Sequence, residues 1–216
     1  MNVYNLPENP KAFIFDIDCT LYTNDFWGNE QVDCQIRHFS DLRGISHDEG
    51  RKMIGDFRKN WEKEHGHKIS LGNTLTHFGI SIEESIRWRT ELHHPENFLK
   101  KDHKLASTLE IIASNNIKMC CVTNNPVVIA KRTLEAIGVD EILKDIVGLD
   151  TCGKSKPAFE PFELAAKILK TTPKSIVAVG DRFDIDLDFP LQMGMGGILV
   201  SGVEDVYSLP KIFNLG

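Results

Sequence analysis

Ala12-Phe13-Ile14-Phe15-Asp16-Ile17-Asp18-Cys19-Thr20 is the stretch on which the fold turns. Four apolar residues in succession, broken off by two acids, fit a short strand buried on both faces, as the strands of parallel sheets are. In such sheets, ligands collect at the carboxyl ends of the strands. Asp16 and Asp18 therefore stand where chemistry is expected.

The same signature returns far down the chain. From Lys101 onward helix and strand patterns alternate. Leu105, Leu109 and Ile112 mark a helix face, and Lys118 to Thr123 reads as a buried strand. Asn125 is placed to cap a helix with Pro126 at its first position. Ala130, Leu134 and Ile137 follow at helical spacing. Ile146-Val147 suggests a short strand, Phe159 to Lys170 a helix, Ser175 to Val179 a strand, Ile185 to Gln192 a helix, and Gly197 to Val200 a last strand. This alternation predicts an α/β fold with a doubly wound parallel sheet.

Between the first strand and this alternation lies a different segment, 24–100, with no strand pattern. Ser46 with Glu49, and Ser81 with Glu84, match the capping-box spacing. Met53, Ile54, Phe57 and Trp61 recur at helical intervals behind the first, and Ile82, Ile86 and Trp88 make a weaker stripe behind the second. The division expected is thus an α/β core of residues 1–23 and 101–216, with residues 24–100 a helical insertion.

Bulk composition narrows the partners. The 216 residues suffice for one buried core and a small accessory unit. With 41% hydrophobic and 26% charged residues the chain reads as globular. Its net charge is −6 and its 25 Lys and Arg residues are scattered, which argues against nucleic acid. No stretch approaches the ~18–20 apolar residues of a membrane helix, and residues 1–10 carry no secretory pattern. Five cysteines, with no Cys-x-x-Cys pair, fit reduced thiols in a cytoplasmic protein. Nothing in the sequence speaks for a particular oligomeric state.

Four edges of the expected sheet carry reactive groups: Asp16 and Asp18; Thr123-Asn124-Asn125; Lys156; and Asp181-Arg182-Phe183-Asp184-Ile185-Asp186 after Gly180. Carboxylates beside a lysine and a hydroxyl suit phosphoryl transfer. A carboxylate attacking an anionic phosphate ester is repelled unless positive charge is supplied. Mg²⁺ held by oxygens, with Asp16 and Asp181 as suitable ligands, can supply it, and Lys156 offsets further negative charge. Thr123 and nearby N–H groups can hold phosphoryl oxygens. Asp18 can reach the leaving oxygen as general acid and later activate water. Free aspartate titrates near ~3.9, so its neighbours must poise it.

The ordered set Asp16-x-Asp18-x-Thr20, Thr123, Lys156 and Gly180-Asp181-x4-Asp186 resembles the four signature motifs of the haloacid dehalogenase-like hydrolases, over roughly two-thirds of the chain. The resemblance implies a Rossmann-like core, an aspartyl-phosphate formed on Asp16, and acid–base work by Asp18, whose backbone oxygen also binds Mg²⁺. It implies phosphate binding by Thr20, Thr123, Asn124 and Lys156, and completion of the metal site by Asp181 with Asp186, Asp184 being the alternative. The second aspartate of the first motif, missing from the dehalogenases themselves, favours phosphate substrates. The helical insertion resembles the cap of the subgroup that includes phosphoglycolate phosphatases, β-phosphoglucomutases and pyrimidine 5′-nucleotidases, the string Phe15 to Tyr22 being most like the last.

The expected function is a Mg²⁺-dependent phosphatase acting on a small phosphorylated metabolite, a nucleoside monophosphate first. A phosphosugar mutase on the same core, or a non-catalytic binding protein, are the alternatives. Other features have plainer readings. His65, His67, His93 and His94 lack the cysteines or third ligand of a zinc site. Trp27, Trp61 and Trp88 more often pack a small helical unit than stack on a base. Cys19 reads as a spacer in the catalytic loop.

Overall fold

The computed structural model describes residues 1–215. Six strands form one sheet in the order β1-β6-β5-β2-β3-β4. They are β1 (Asn2–Tyr4), β2 (Ala12–Phe15), β3 (Lys118–Val122), β4 (Ile146–Val147), β5 (Ile176–Gly180) and β6 (Gly196–Leu199). The expected first strand, β2, lies at the centre. Phe15 pairs in parallel with Cys121 on one side and Val179 on the other.

The two-residue period of a strand divides its side chains between two layers. Phe13, Phe15, Cys121 and Val179 join one apolar cluster with Leu105, Leu109 and Leu134. Ala12, Ile14, Cys120 and Val122 join another with Phe162 and Leu169. Each large apolar side chain so enclosed contributes roughly 1.5–3 kcal/mol. This double coverage is why β2 carries no polar residue until Asp16. The covering helices are α5 (His103–Ser114) and α6 (Val127–Ile137) towards the first cluster, and α8 (Phe159–Leu169) towards the second; the short α7 (Leu149–Cys152) precedes α8.

Three local expectations are corrected. Strand β1 has no counterpart in the sequence reading; it pairs antiparallel with β6, the one antiparallel edge of the sheet. The helix after β3 is capped by Pro126 rather than Asn125, with no side-chain bond at the cap, because the Asn125 side chain turns into the active site. The helix expected from Ile185 opens instead as a wide π turn (Phe183–Leu187) running into α9 (Asp188–Gln192). That turn tucks Asp186 beneath Gly180, where a Cβ on residue 180 would stand 2.4 Å from the Asp186 Cβ. Only glycine fits there.

The inserted segment holds α1 (Asp25–Arg43), α2 (His47–His65), α3 (Leu71–His77) and α4 (Ile82–Leu92). Ile36, Phe39, Ile54, Leu75 and Trp88 close a third apolar cluster of its own. Ser46 and Glu49 form the expected reciprocal cap. Ser81 accepts from the Glu84 N–H at 3.1 Å, but the Glu84 carboxylate takes the Trp88 indole N–H at 2.7 Å instead of closing a box. Trp27 and Trp88 are fully buried, so both serve packing. Among the described residues no helix is long and apolar enough to cross a membrane.

Candidate active site

The carboxyl ends of β2, β3 and β5 meet at a cavity of about 370 Å³, roofed by the helical segment. Lys156, 1% exposed, anchors it. Its Nζ donates to Asp16 Oδ1 and to Asp186 Oδ1, each at 2.6 Å. Asn124 fixes the lysine's backbone: its Nδ2 donates to the Lys156 carbonyl at 2.9 Å and its Oδ1 accepts from the Lys156 N–H at 2.6 Å. The Asn124 amide, expected at the substrate, is thus engaged in positioning Lys156.

Burial pushes the Asp16 carboxyl up to about 7; Lys156 opposes this and Asp186 adds to it. Burial works to lower the Lys156 ammonium, but Asp16 and Asp186 outweigh it and hold it above its usual value. The lysine therefore stays charged. Asp181 is likewise raised by burial, with Arg182 opposing.

Asp16, Asp181 and Asp186 each offer an oxygen lying within 4.8 Å of the other two. Asp181 Oδ1 is buried and accepts no hydrogen bond. Arg182 Nε stands 3.6 Å from it, in ion-pair but not hydrogen-bond reach. A buried carboxylate oxygen without a hydrogen bond among three acids is costly, so the donor set fits a hard divalent ion. Asp184 is exposed and is not part of this group. His65 stacks on Trp61 at 3.8 Å and takes part in no such cluster.

Asp18 sits apart. Its Oδ1 accepts from Tyr22 Oη at 2.6 Å and Gln31 Nε2 at 3.0 Å, and its Oδ2 from Asn125 Nδ2 at 2.9 Å. Thr20 Oγ1 lies 3.4 Å from Asp16 Oδ2. The Thr123 hydroxyl accepts from the Asn125 N–H at 3.1 Å. Cys19, directly after Asp18, takes a left-handed backbone conformation. Burial first, then Asp181, Asp18 and Asp16, push its thiol up to about 12, so it stays protonated.

Gln31 and Arg89 have no counterpart in the sequence analysis, where Asn125 stands on the second strand's edge as a helix cap. Gln31, from α1, also accepts from Asn125 Nδ2 at 2.8 Å and so ties the helical segment to both β2 and β3 ends. The hydrogen bonds continue to Gln35 and to His93, whose Nε2 meets the Gln31 carbonyl at 3.1 Å. Burial, then the nearby Arg89, lowers the His93 imidazole to about 4 from an ordinary 6.5. Below pH 6.5 the unfolded chain therefore binds a proton the folded protein refuses. Stability should fall as pH drops from 6.5 towards 4, by up to about 1.4 kcal/mol per pH unit from this group. Urea unfolding of wild type and His93→Gln across that range checks it, because other titrations cancel in the difference. A difference that does not change with pH would rule the effect out.

A family model of the haloacid dehalogenase-like hydrolases matches residues 10–194. The glyceraldehyde 3-phosphate phosphatase of Methanothermobacter thermautotrophicus is 24% identical over 194 residues, covering 88% of this chain and 85% of that protein. The phosphoglycolate phosphatase of Aquifex aeolicus is 30% identical over 97 residues, 45% of each chain. A phosphatase structure from Thermococcus onnurineus superposes with a TM-score of 0.61 at 20% identity, covering 95% of this chain and 98% of that one. By the match over most of its length, this chain belongs to the haloacid dehalogenase-like hydrolases.

Proposed function

We propose that the protein is a phosphatase for a small phosphorylated metabolite, working through a phosphorylated Asp16. The observation that carries this reading is the buried Lys156 held between Asp16 and Asp186, in a group of three acids completed by Asp181. Asp16, Asp181, Asp186 and the Asp18 carbonyl would hold Mg²⁺, which when bound supplies the positive charge that lets a carboxylate approach a phosphate ester.

Asp16 attacks phosphorus, and the bond from phosphorus to the alcohol oxygen breaks. Lys156 keeps Asp16 aimed and offsets its charge. Asp18 delivers a proton to the departing oxygen. A water then attacks the aspartyl-phosphate, Asp18 takes back its proton, and inorganic phosphate leaves. The transferred proton can sit on Asp18 Oδ2, which accepts only from Asn125 and keeps a lone pair free, while Oδ1 is held by Tyr22 and Gln31. Residues 24–100 act here as a cap that covers the cavity and excludes water.

Phosphate release over a panel of nucleoside monophosphates, sugar phosphates and phosphocarboxylates, with Mg²⁺ and with excess EDTA, tests the reading. Metal-dependent release from at least one ester is the expected result. Isomerisation of a sugar phosphate without release would turn the assignment to a mutase, and no reaction with any ester would sink it.

A further inference from the structure

A buried arginine without an acidic partner lines the same cavity. Arg89, in the last turn of α4, is 6% exposed. Its Nε donates to Gln35 Oε1 at 3.1 Å and its Nη1 to the Asn124 carbonyl. Both acceptors are neutral, and among the described residues no carboxylate forms an ion pair with this guanidinium. Its Nη2 occupies the gap over Gly72, where a Cβ would stand 3.1 Å away. That gap is a crevice of about 10 Å³ that shares Arg89 and Asn124 with the cavity, and the Ser85 hydroxyl bordering it is buried without a hydrogen-bond partner.

Proteins bury a charge when it is both hydrogen-bonded and balanced. Arg89 has part of the first, and for the second only the field of Asp18, with no ion pair. Opposite it, Arg58 and Lys68 also line the cavity, and Arg182 makes a fourth cation against Asp16, Asp18 and Asp181. Two of those three acids belong to the candidate metal group. With those two acids turned to the metal, the four cations outnumber the one acid left in the lining to balance them.

We infer, on the basis of the phosphatase reading above, that the substrate bears a second anionic group, a carboxylate or a second phosphate, bound by Arg89. A planar guanidinium with free N–H groups matches either oxyanion in two-point fashion. Arg89 holds the Asn124 carbonyl, and the Asn124 amide holds Lys156, so the two anion sites are built on one frame. A single small molecule spans them.

The test compares kcat/KM, with Mg²⁺, for matched pairs: 2-phosphoglycolate against 2-hydroxyethyl phosphate, and a short diol bisphosphate against its monophosphate. The expected wild-type preference for the doubly anionic member of one pair is about 10- to 100-fold; the pair that shows it identifies carboxylate or phosphate. Arg89→Gln should bring that ratio towards one, mainly through KM, and Arg89→Lys should keep part of it. An equal loss on both members would make Arg89 only a tie between cap and core and overturn the inference. So would a wild type without preference, although phosphate release would still stand. If no ester is hydrolysed, calorimetric titration of 2-phosphoglycolate and of the diol bisphosphate decides separately. Binding of either by wild type but not by Arg89→Gln supports the anion site, and no difference with either refutes it. Thermal melts establish that each variant is folded, with Arg89→Lys as the fallback.

Discussion

Asp16→Asn is expected to lower kcat for phosphate release by at least about 10⁴-fold without lowering the melting temperature. The amide has the carboxylate's shape but is too weak a nucleophile to form the acyl phosphate. Stability should not follow activity down, because burial already resists the ionised form of Asp16, holding its carboxyl up to about 7. At pH 8 the neutral amide removes that resistance. Lys156 loses one of its two carboxylates but keeps Asp186 at 2.6 Å. Acid-quenched wild type should retain covalent phosphate, and the variant none. Residual turnover within about tenfold of wild type would end the case for Asp16 as nucleophile.

Lys156→Met should damage folding and catalysis together. Without the ammonium, two carboxylate oxygens that each sat 2.6 Å from Nζ face one another, with only Arg182, 3.8 Å from Asp186 Oδ2, as counter-charge. Removing one member of a buried ionic group costs roughly 3–5 kcal/mol. The loss has a sign in pH. With Lys156 no longer opposing, folding raises the Asp16 carboxyl further above its unfolded value, so the folded variant holds a proton the unfolded chain releases. Its stability is present at low pH and is lost as pH rises through the folded value. Denaturation midpoints should therefore diverge from wild type more at pH 8 than at pH 5, and kcat should fall roughly 10²- to 10³-fold. A variant as stable as wild type at pH 8 would contradict the reading of Lys156 as the charge that holds the site together.

Both experiments rest on residues visible in the sequence, and the reason is local. Asp16, Asp18, Lys156, Asp181 and Asp186 lie in short loops directly after strands or before a helix, where the run of apolar residues breaks. What was hidden is what depends on distance. Gln31 and Arg89 read as ordinary polar positions on helices, and only the packing of α1 and α4 over the sheet brings them to Asp18 and Asn124. Asn125 obeyed local capping rules on paper; its bonds to Asp18 and Gln31 outbid the cap. β1 was invisible because three half-exposed residues carry no period, and its place is set by β6, almost two hundred residues away.

The central position of β2 also sets the order in which the molecule can be made. Ala12 pairs with Lys118 and Ile176, so its second neighbour is translated 164 residues later (176 minus 12). At ordinary elongation speeds that delay is roughly 10–30 s. During it, an apolar strand waits with at least one open edge while the helical segment can already collapse on its own cluster. The nascent chain thus spends much of its synthesis with an apolar strand open on one edge or both, and fragments ending before Ile176 should need a holding chaperone to stay in solution.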